Sequence, residues 1–344
     1  MNNMIDVYVN YNEKKPCFSS ISEAFSYISK GYEAPEATYP AQNEALEEVN
    51  IYVAPGTYRE KLVLERPYVN MIGEDAASTV ILYGDYAKDS MPDGSKRGTF
   101  RTAAFRIHTH DVSLKNITIQ NDAGFGHTVG QALALYVDGD RNSFYDVRLI
   151  GSQDTLFTAP LPRKEAQPGG FTGPGEHKPR TMGRQYYKNC FIQGDVDFIF
   201  GGACCYFEGC TIFSKQPEHL PPEAEGRSIF GYVTAASTFE EEPYGYVFEG
   251  CKLISDCPPG SIYLGRPWRE YAKTVFLNCE LGPHIHPAGW EDWNKPHGHF
   301  YYAEFGSTGQ GASPSTREAY SHQLTPQEAT HYTKEKVLRG WMPA

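Results

Sequence analysis

The chain has 344 residues, of which 40% are apolar and 21% charged, so it can bury a sizeable core and is neither disordered nor collagen-like in composition. Its 31 Lys and Arg against 42 Asp and Glu give a net charge of −11, which argues against a nucleic-acid partner because such partners need a basic face. No stretch approaches the roughly 18 apolar residues of a membrane span, and the segment from Met1 to Asn10 has no leader pattern. We therefore expect no membrane association, and a protein that is cytoplasmic as the sequence stands, or secreted if its N-terminus is already processed.

A helix is predicted near the N-terminus, followed by many short strands. Ser20 and Glu23 form a capping-box pattern that opens an amphipathic run through Ile21, Phe25 and Ile28. The strands are β-rich runs separated by Gly, Asn and Asp turns, and we place them at 49–53, 61–64, 69–72, 80–82, 104–108, 133–137, 228–233, 261–264 and 274–277. A second capping pattern, at 325–328, predicts another short helix near the C-terminus.

Four of the eight cysteines occupy one recurring local frame. Cys190, Cys210, Cys251 and Cys279 each follow an Asn or Gly and precede an alternating apolar run. The segments 114–119 and 144–149 fit the same frame with Ile or Val in place of Cys, so cysteine here substitutes for a small hydrophobic residue. No paired Cys or His spacing typical of a zinc site occurs, and we expect no metal and no other cofactor.

Degenerate repeats of short strands at intervals of roughly 20 to 40 residues are typical of solenoids. We predict an all-β chain folded as a parallel β-helix, with short helices closing the two ends. A β-sandwich is the alternative, while a doubly wound α/β fold is disfavoured because helices do not alternate with the strands. We expect a single domain over 1–344 in which the tail, about 313–344, packs as a cap. The Pro- and Gly-rich loop at 159–184 is long enough to be functional or mobile.

Two aspartates interrupt apolar strands and are candidates for functional residues. Asp154 and Asp197 stand where a hydrophobic residue is usual, and a buried carboxylate is costly unless it is paired. For one isolated aspartate, turn chemistry or an internal ion pair would be the simpler explanation. Gln131 lies 22 residues before Gln153, about one coil, so both amides and both carboxyls can be neighbours on stacked coils. Gln153 and Asp154 can share one site only if the strand bends there, because adjacent strand residues point to opposite faces.

The segment Leu264-Gly265-Arg266-Pro267-Trp268 adds a cation and an aromatic platform to this set. Arg266 could hold a carboxylate ionised, and Trp268 could stack on a sugar face. A Gly-Arg-Pro-Trp segment is a weak signal when it stands alone, and a tryptophan packed at a strand end is then the simpler explanation.

Taken together, five segments resemble the signature segments of the pectin methylesterases, or pectinesterases. They occur in the family's order, at 56–60, 131–135, 153–156, 197–201 and 264–268, and the resemblance runs from about Phe18 to Ala312. It implies a right-handed parallel β-helix that hydrolyses methyl esters of galacturonosyl residues, in pectin or in methylated oligogalacturonides, without a metal. It also implies Asp197 as the nucleophile and Asp154 as the general acid and then base.

The same resemblance assigns the remaining site residues. Gln131 and Gln153 would donate hydrogen bonds to the oxyanion, Arg266 would keep Asp197 ionised and would also contact substrate, as would Gln131, and Trp268 would be the sugar platform. Thr99 and Phe125 are weaker candidates for substrate contact. The stretch between Asp154 and Asp197 is longer than in plant members by roughly twenty residues, so a bacterial-type member is expected. Solenoids of this kind are often monomers, and we expect one here.

Two functions from other classes stay open at this stage. The first is another pectin-active β-helix enzyme, a glycoside hydrolase with paired carboxylates or a calcium-dependent lyase. It is disfavoured because the two glutamines and the Arg-Pro-Trp segment would have no evident role in it. The second is a β-helix that binds carbohydrate without turning it over, against which the presence of all five candidate catalytic residues weighs.

Overall fold

The computed structural model describes residues 4–30, 46–217, 226 and 228–343. In this part of the chain the backbone winds into successive coils, and the central coils each add one strand to each of three sheets, while the end coils contribute strands to fewer of them. Every pairing between its strands is parallel. This is the predicted parallel β-helix, and it excludes the β-sandwich, whose sheets are antiparallel.

The three sheets differ in length, and each takes its name here from the number of strands described. The twelve-stranded sheet contains Met4–Val9, Cys17–Phe18, Glu48–Val53, Val69–Gly73, Val112–Lys115, Asn142–Tyr145, Arg184–Lys188, Cys204–Glu208, Tyr246–Glu249, Lys273–Leu277, Tyr301–Phe305 and His322–Gln323. The eight-stranded sheet contains Gly56–Tyr58, Thr79–Tyr83, Thr118–Asn121, Arg148–Ile150, Phe191–Gly194, Thr211–Ser214, Lys252–Ser255 and Glu280–Leu281. The seven-stranded sheet contains Leu62–Leu64, Phe105–Ile107, Leu135–Val137, Leu156–Thr158, Val196–Gly201, Gly231–Ala236 and Ile262–Gly265.

Each strand range predicted from the sequence overlaps an observed strand. Most ends agree within two residues, and the largest offset is at 228–233, where the strand begins at Gly231 and continues to Ala236. The interior of the coil is filled by stacked side chains from equivalent positions. Phe144, Tyr187, Phe207, Phe248 and Phe276 form one such stack, with successive ring centroids 4.6, 4.7, 4.4 and 4.4 Å apart. The stacking distance is close to the spacing of neighbouring strands, about 4.8 Å, so the coil repeat itself aligns the rings.

The recurring cysteine frame is the turn from the twelve-stranded into the eight-stranded sheet. The residue before each buried cysteine has a left-handed backbone, with φ of +53° at Asn189, +63° at Gly209, +62° at Gly250 and +52° at Asn278. Asn and Gly tolerate this conformation better than other residues. All eight cysteines are free, and Cys190 and its three counterparts lie in the same interior cluster as the Ile and Val residues of the equivalent turns. The expected interchange of Cys with a hydrophobic residue is therefore confirmed.

Short helices lie at both ends of the described chain, as predicted. The N-terminal helix, Ile21–Ile28, is capped by the Ser20 hydroxyl, which accepts from the Glu23 backbone N–H, and its apolar face joins the interior of the coil. The C-terminal helices are Pro326–Ala329, which has a complete capping box at Thr325, and Lys334–Val337. The one other α-helix among the described residues is Gly126–Val129.

The C-terminal tail covers a side of the solenoid as well as its end. His322–Gln323 pairs with Tyr301–Phe305, the last strand before it in the twelve-stranded sheet. The chain then runs back over the outer face of that sheet, where Val337 and Leu338 are fully buried against residues of several strands. One domain over 1–344 stays a prediction, and the described part of the tail packs on the coil.

The long loop at 159–184 contains neither helix nor strand until Arg184 begins the next strand. It is held to the coil by specific contacts. The Tyr136 hydroxyl donates to the Pro174 carbonyl at 3.0 Å, and the Arg180 guanidinium donates to several carbonyls of the loop. Phe171, which is buried, carries the loop into an aromatic cluster on the outer face of the seven-stranded sheet.

Candidate active site

The two aspartates singled out in the sequence occupy equivalent positions on neighbouring coils. In the seven-stranded sheet Leu156 pairs with Ile199, and each aspartate lies two residues before its paired residue. The Asp154 backbone N–H also donates to the Val196 carbonyl at 3.1 Å, which ties the two segments together. Asp154 and Asp197 are therefore stacked along the coil axis, about one strand spacing apart in the backbone.

Both aspartates have left-handed backbones, with φ of +63° at Asp154 and +52° at Asp197. The register also shifts between Val196 and Ile199, as in a β-bulge. The left-handed backbone of Asp154 breaks the strict alternation of its strand and supplies the bend that Gln153 and Asp154 need to serve one site, while the register shift does the same at Asp197. Such backbones cost on the order of 1–3 kcal/mol each and cluster at functional sites.

The two carboxyls differ in that only Asp197 has a hydrogen-bonded cation. Burial raises the pKa of Asp154 well above its usual value, and the negative charge of Asp197 raises it further. Burial also raises the pKa of Asp197, but hydrogen bonds and charge from Arg266, together with the charge of Lys295, act in the opposite direction. Among the described residues none donates a hydrogen bond to the Asp154 carboxyl. The pair is thus arranged with Asp154 as the more readily protonated member.

Arg266 holds Asp197 through two parallel hydrogen bonds. Its Nε donates to Oδ1 at 2.8 Å and its Nη2 donates to Oδ2 at 2.7 Å. The guanidinium carbon lies 3.8 Å from the ring centroid of Tyr232 and 3.8 Å from that of Trp293. Bidentate geometry of this kind is strong and directional, so it fixes the plane of the carboxylate. Beside the pair is a cleft of about 550 Å³ lined by Arg266, Tyr232, Phe230 and neighbouring residues.

Gln153 lies on the coil of Asp154, and Gln131 lies on the coil before it, so the site spans three successive coils. The backbone N–H of Ala132, next to Gln131, donates to the Gln153 carbonyl at 3.2 Å, so the two glutamines face each other across one coil step. Both side chains are partly exposed, and within the described ranges neither amide group has a hydrogen-bond partner. Two amides without partners beside a pair of carboxyls can donate to an oxyanion that forms there.

Trp268 lies at the edge of an aromatic cluster on the outer face of the seven-stranded sheet. Its ring centroid is 5.6 Å from that of Phe200, 6.4 Å from that of Phe171 and 6.5 Å from that of Phe100. The Arg269 guanidinium carbon lies 4.7 Å from its centroid. The indole is only partly buried, so one part packs on the cluster and another part remains accessible to solvent.

The two weaker candidates, Thr99 and Phe125, lie in segments that connect the eight-stranded sheet to the seven-stranded sheet. Thr99 begins a 3₁₀ helix, Thr99–Arg101, and its neighbour Phe100 enters the aromatic cluster. Phe125 precedes the helix Gly126–Val129, and the Lys215 ammonium lies 4.1 Å from its ring centroid. Both residues are half-buried, and their contact with substrate stays a prediction.

Several residues around the two aspartates and the glutamines were not found by sequence reasoning. They are Tyr232, Trp293 and Lys295 around the ion pair, Asp195 before the strand Val196–Gly201, and Gly126 against Gln153. The signal for Trp293 was present in Trp290-Glu-Asp-Trp-Asn-Lys295, where a polar turn sequence carries an aromatic residue. Nothing in the sequence indicated that this turn reaches Arg266.

Among the residues that the structure describes, no group of three or more His, Cys, Asp or Glu is arranged to hold a metal ion. In that part of the chain no helix is both long enough and apolar enough to span a bilayer.

Comparison with known proteins gives one consistent family. A family model described as Pectinesterase matches residues 29–163 and 180–341. The intervening residues belong to the long loop, which is where the chain was expected to depart from plant members. Among curated proteins, Pectinesterase QRT1 of Arabidopsis thaliana is 34% identical over 300 residues, covering 85% of this chain and 70% of that protein. Probable pectinesterase/pectinesterase inhibitor 23, from the same plant, is 31% identical, and the chain spans about half of its length.

Solved structures agree with this and with the fold. Pectin methylesterase PemA from Erwinia chrysanthemi superposes with a TM-score of 0.76 at 28% identity, covering 100% of this chain and 99% of that one. Pectin methylesterase from carrot gives a TM-score of 0.73 at 27% identity, covering 97% of this chain and 92% of that one. These are right-handed parallel β-helices, so the predicted fold is confirmed. The bacterial-type qualifier is not supported, because the curated relatives named above are plant proteins.

Proposed function

The chain belongs to the pectinesterase family, and on this premise we propose that it hydrolyses the methyl esters of pectin through an aspartyl nucleophile. The observation that carries the mechanism is the bidentate ion pair between Arg266 and Asp197, stacked on Asp154. Two stacked carboxyls in unequal environments are suited to opposite roles, one ionised and one protonated.

In the first half-reaction an Asp197 carboxylate oxygen attacks the ester carbonyl, and the amides of Gln131 and Gln153 donate to the resulting oxyanion. The carbonyl re-forms as the bond to the methoxy oxygen breaks. Asp154 transfers its proton to that oxygen, so methanol leaves and an anhydride joins the galacturonosyl carbonyl to Asp197. Asp154 is then a carboxylate.

In the second half-reaction Asp154 accepts a proton from water while the water oxygen attacks the galacturonosyl carbon of the anhydride. The bond to Asp197 breaks, which releases the galacturonosyl carboxylic acid and restores both aspartates to their starting states, and the acid then loses its proton to solvent. Trp268, Arg266 and Gln131 contact the sugar, and Thr99 and Phe125 are weaker contacts at the rim of the cleft.

The substrate is pectin or a methylated oligogalacturonide, and the protein acts as a monomer without a cofactor. Methanol release from both substrates tests this directly, with chain length followed in parallel. Asp197→Asn removes the nucleophile and is expected to abolish methanol release. The control is Asp146→Asn, because Asp146 also has a left-handed backbone, with φ of +53°, but is exposed in a turn away from the cleft.

Light scattering tests the monomer, and fractionation of the source cells tests whether the protein is cytoplasmic or secreted. Chain shortening without methanol would contradict the esterase and favour a glycoside hydrolase or a lyase. Binding without turnover by a folded protein would favour a carbohydrate-binding β-helix.

A further inference from the structure

Arg266 is enclosed on both faces by aromatic rings, and one of these rings comes from a distant turn. The guanidinium carbon is 3.8 Å from the Tyr232 centroid on one side and 3.8 Å from the Trp293 centroid on the other. Tyr232 belongs to the strand Gly231–Ala236, whereas Trp293 lies in a turn at 291–295 that follows the last strand of the seven-stranded sheet. The Arg266 guanidinium is therefore held between one ring from a strand and one ring from a turn.

The turn is held by its own acidic side chains. The Glu291 carboxylate accepts from the Trp293 backbone N–H at 2.9 Å, and the Asp292 carboxylate accepts from the Asn294 backbone N–H at 2.8 Å. Trp293 itself has φ of +49°, a conformation that is rare for a bulky residue and costs free energy. A strained tryptophan persists only where the surrounding structure holds it, and what the strain achieves here is to lay the indole on Arg266.

The chemistry of the proposed reaction gives this enclosure a purpose. While Asp197 is a carboxylate, the two hydrogen bonds from Arg266 partner the guanidinium. When Asp197 becomes an anhydride it loses its charge, and the partly buried guanidinium loses the anion that it was hydrogen-bonded to, while the new negative charge lies on Asp154, to which Arg266 makes no hydrogen bond. Aromatic faces attract a cation electrostatically and do not change during the reaction. Both rings can therefore keep Arg266 in place until the carboxylate returns.

We propose that Trp293 is a positioning residue that holds the Arg266 guanidinium in the plane of the Asp197 carboxylate throughout turnover. The proposal rests on the mechanism given above, and it assigns to the turn at 291–295 a role in catalysis through Arg266. Tyr232 supplies the opposite face of the same clamp.

Lys295 adds charge from the same turn. Its ammonium lies 4.6 Å from the Trp293 centroid, and its positive charge favours the ionised form of Asp197. The titratable and charged groups that act on or with Asp197 are Asp154, Asp195, Tyr232, Arg266, Glu291, Lys295 and Tyr302. Loosening Arg266 removes the hydrogen bonds that oppose burial, so the pKa of Asp197 must then rise further.

The test compares Trp293→Leu, which removes the ring, with Trp293→Phe, which keeps an aromatic face. In Trp293→Leu we expect kcat to fall about tenfold and the acid limb of the kcat/KM profile to move up by about one pH unit. In Trp293→Phe, kcat and the acid limb should both stay close to their wild-type values. The matched control is Trp341→Leu, because Trp341 also packs on an arginine, with the Arg184 guanidinium carbon 6.0 Å from its centroid, but lies in the C-terminal tail.

A second readout does not depend on turnover. Carbon-13 NMR titration of the Asp197 carboxyl, assigned by its loss in Asp197→Asn, should show a higher pKa in Trp293→Leu than in wild type and an unchanged pKa in Trp341→Leu. An unmoved titration together with a higher KM and an unchanged kcat would overturn the clamp and make Trp293 a sugar contact. A moved titration in a protein that releases no methanol would instead support the clamp while contradicting the esterase mechanism.

Discussion

The candidate site contains three buried carboxyls and one guanidinium, that of Arg266. Asp154, Asp195 and Asp197 are each less than a tenth exposed, yet only Asp197 has a direct ion pair among the described residues. Burying a carboxyl without a counter-ion costs stability, and a functional site tolerates that cost because the shifted pKa is useful. Asp195 and Asp154, which have no ion pair, should therefore affect the pH dependence of stability and of activity.

Asp195 should make the fold less stable at neutral pH. Burial raises its pKa from 3.8 to about 6 in the native state. A raised carboxyl pKa means that the native state keeps its proton longer than the unfolded state, so the free energy of unfolding falls as pH rises from about 4 to 6. We expect Asp195→Asn to gain about 3 kcal/mol at pH 7 and nothing at pH 3. Urea unfolding at the two pH values measures this, and equal effects at both would refute the pKa assignment.

Asp154 should set the alkaline limb of activity. Its proton is needed for methanol to leave, and its raised pKa keeps that proton available to higher pH than for an ordinary aspartate. Catalytic efficiency should therefore decline as pH rises through the raised pKa. Asp154→Asn should lower kcat by about 10²- to 10⁴-fold and leave the fold intact, as checked by methanol release and circular dichroism. An alkaline limb that persists in the residual activity of Asp154→Asn would assign the limb to another group.

Gln153 is positioned by a short helix that the sequence did not connect to the site. The short helix Gly126–Val129 packs on Gln153, and a Cβ at Gly126 would lie 2.6 Å from the Gln153 Cβ and 2.9 Å from its Oε1. Gly126→Ala must therefore displace the amide. We expect a loss of kcat approaching that of an oxyanion donor, about 10²-fold, together with a lower melting temperature, because the closest approach is to the Gln153 Cβ and not to the flexible end of the side chain.

The matched control for this substitution is Gly56→Ala. A Cβ at Gly56 meets only ordinary contacts, the nearest at 3.4 Å, in a strand of the eight-stranded sheet. Activity should be unchanged in this variant. Full activity in Gly126→Ala as well would show that Gln153 is not held in place by the helix, or that its amide is dispensable.

The turns between the twelve-stranded and eight-stranded sheets depend on left-handed residues. At Asn189, with φ of +53°, replacing Asn by Ala should cost about 1 kcal/mol in the free energy of unfolding, because alanine disfavours this backbone. Asn189→Gly should stay within about 0.5 kcal/mol of wild type. Denaturant titration of both variants decides the matter, and equal losses would mean that a side-chain contact, not the backbone, is responsible.

Over the whole molecule, the repeat made the solenoid predictable. The frame around Cys190, Cys210, Cys251 and Cys279 marks one turn per coil, and in the structure those turns stack as the repeat requires. Asp154 and Asp197 could be paired from the sequence because their strands are equivalent in the repeat. A periodic pattern fixes which residues are neighbours along the coil axis, because the coil spacing is constant.

What the repeat could not predict are contacts made by segments that interrupt it. The turn carrying Trp293, the loop carrying Phe171 and the tail carrying Val337 each reach the coil through tertiary contacts with no period of their own. Their sequences predict that a turn or a loop occurs, but not which part of the coil it contacts. The family resemblance predicted Arg266 beside Asp197, but the aromatic enclosure of Arg266 appeared only in the structure, because it depends on such a turn.

Methanol release tests the central claim most directly. Highly methylated pectin is incubated with wild type, Asp197→Asn and Asp146→Asn, and the chain length of the polymer is followed in parallel. The account predicts methanol from wild type and Asp146→Asn, none from Asp197→Asn, and an unchanged chain length. Methanol from Asp197→Asn at the wild-type rate, or none from a folded wild-type protein, would contradict it.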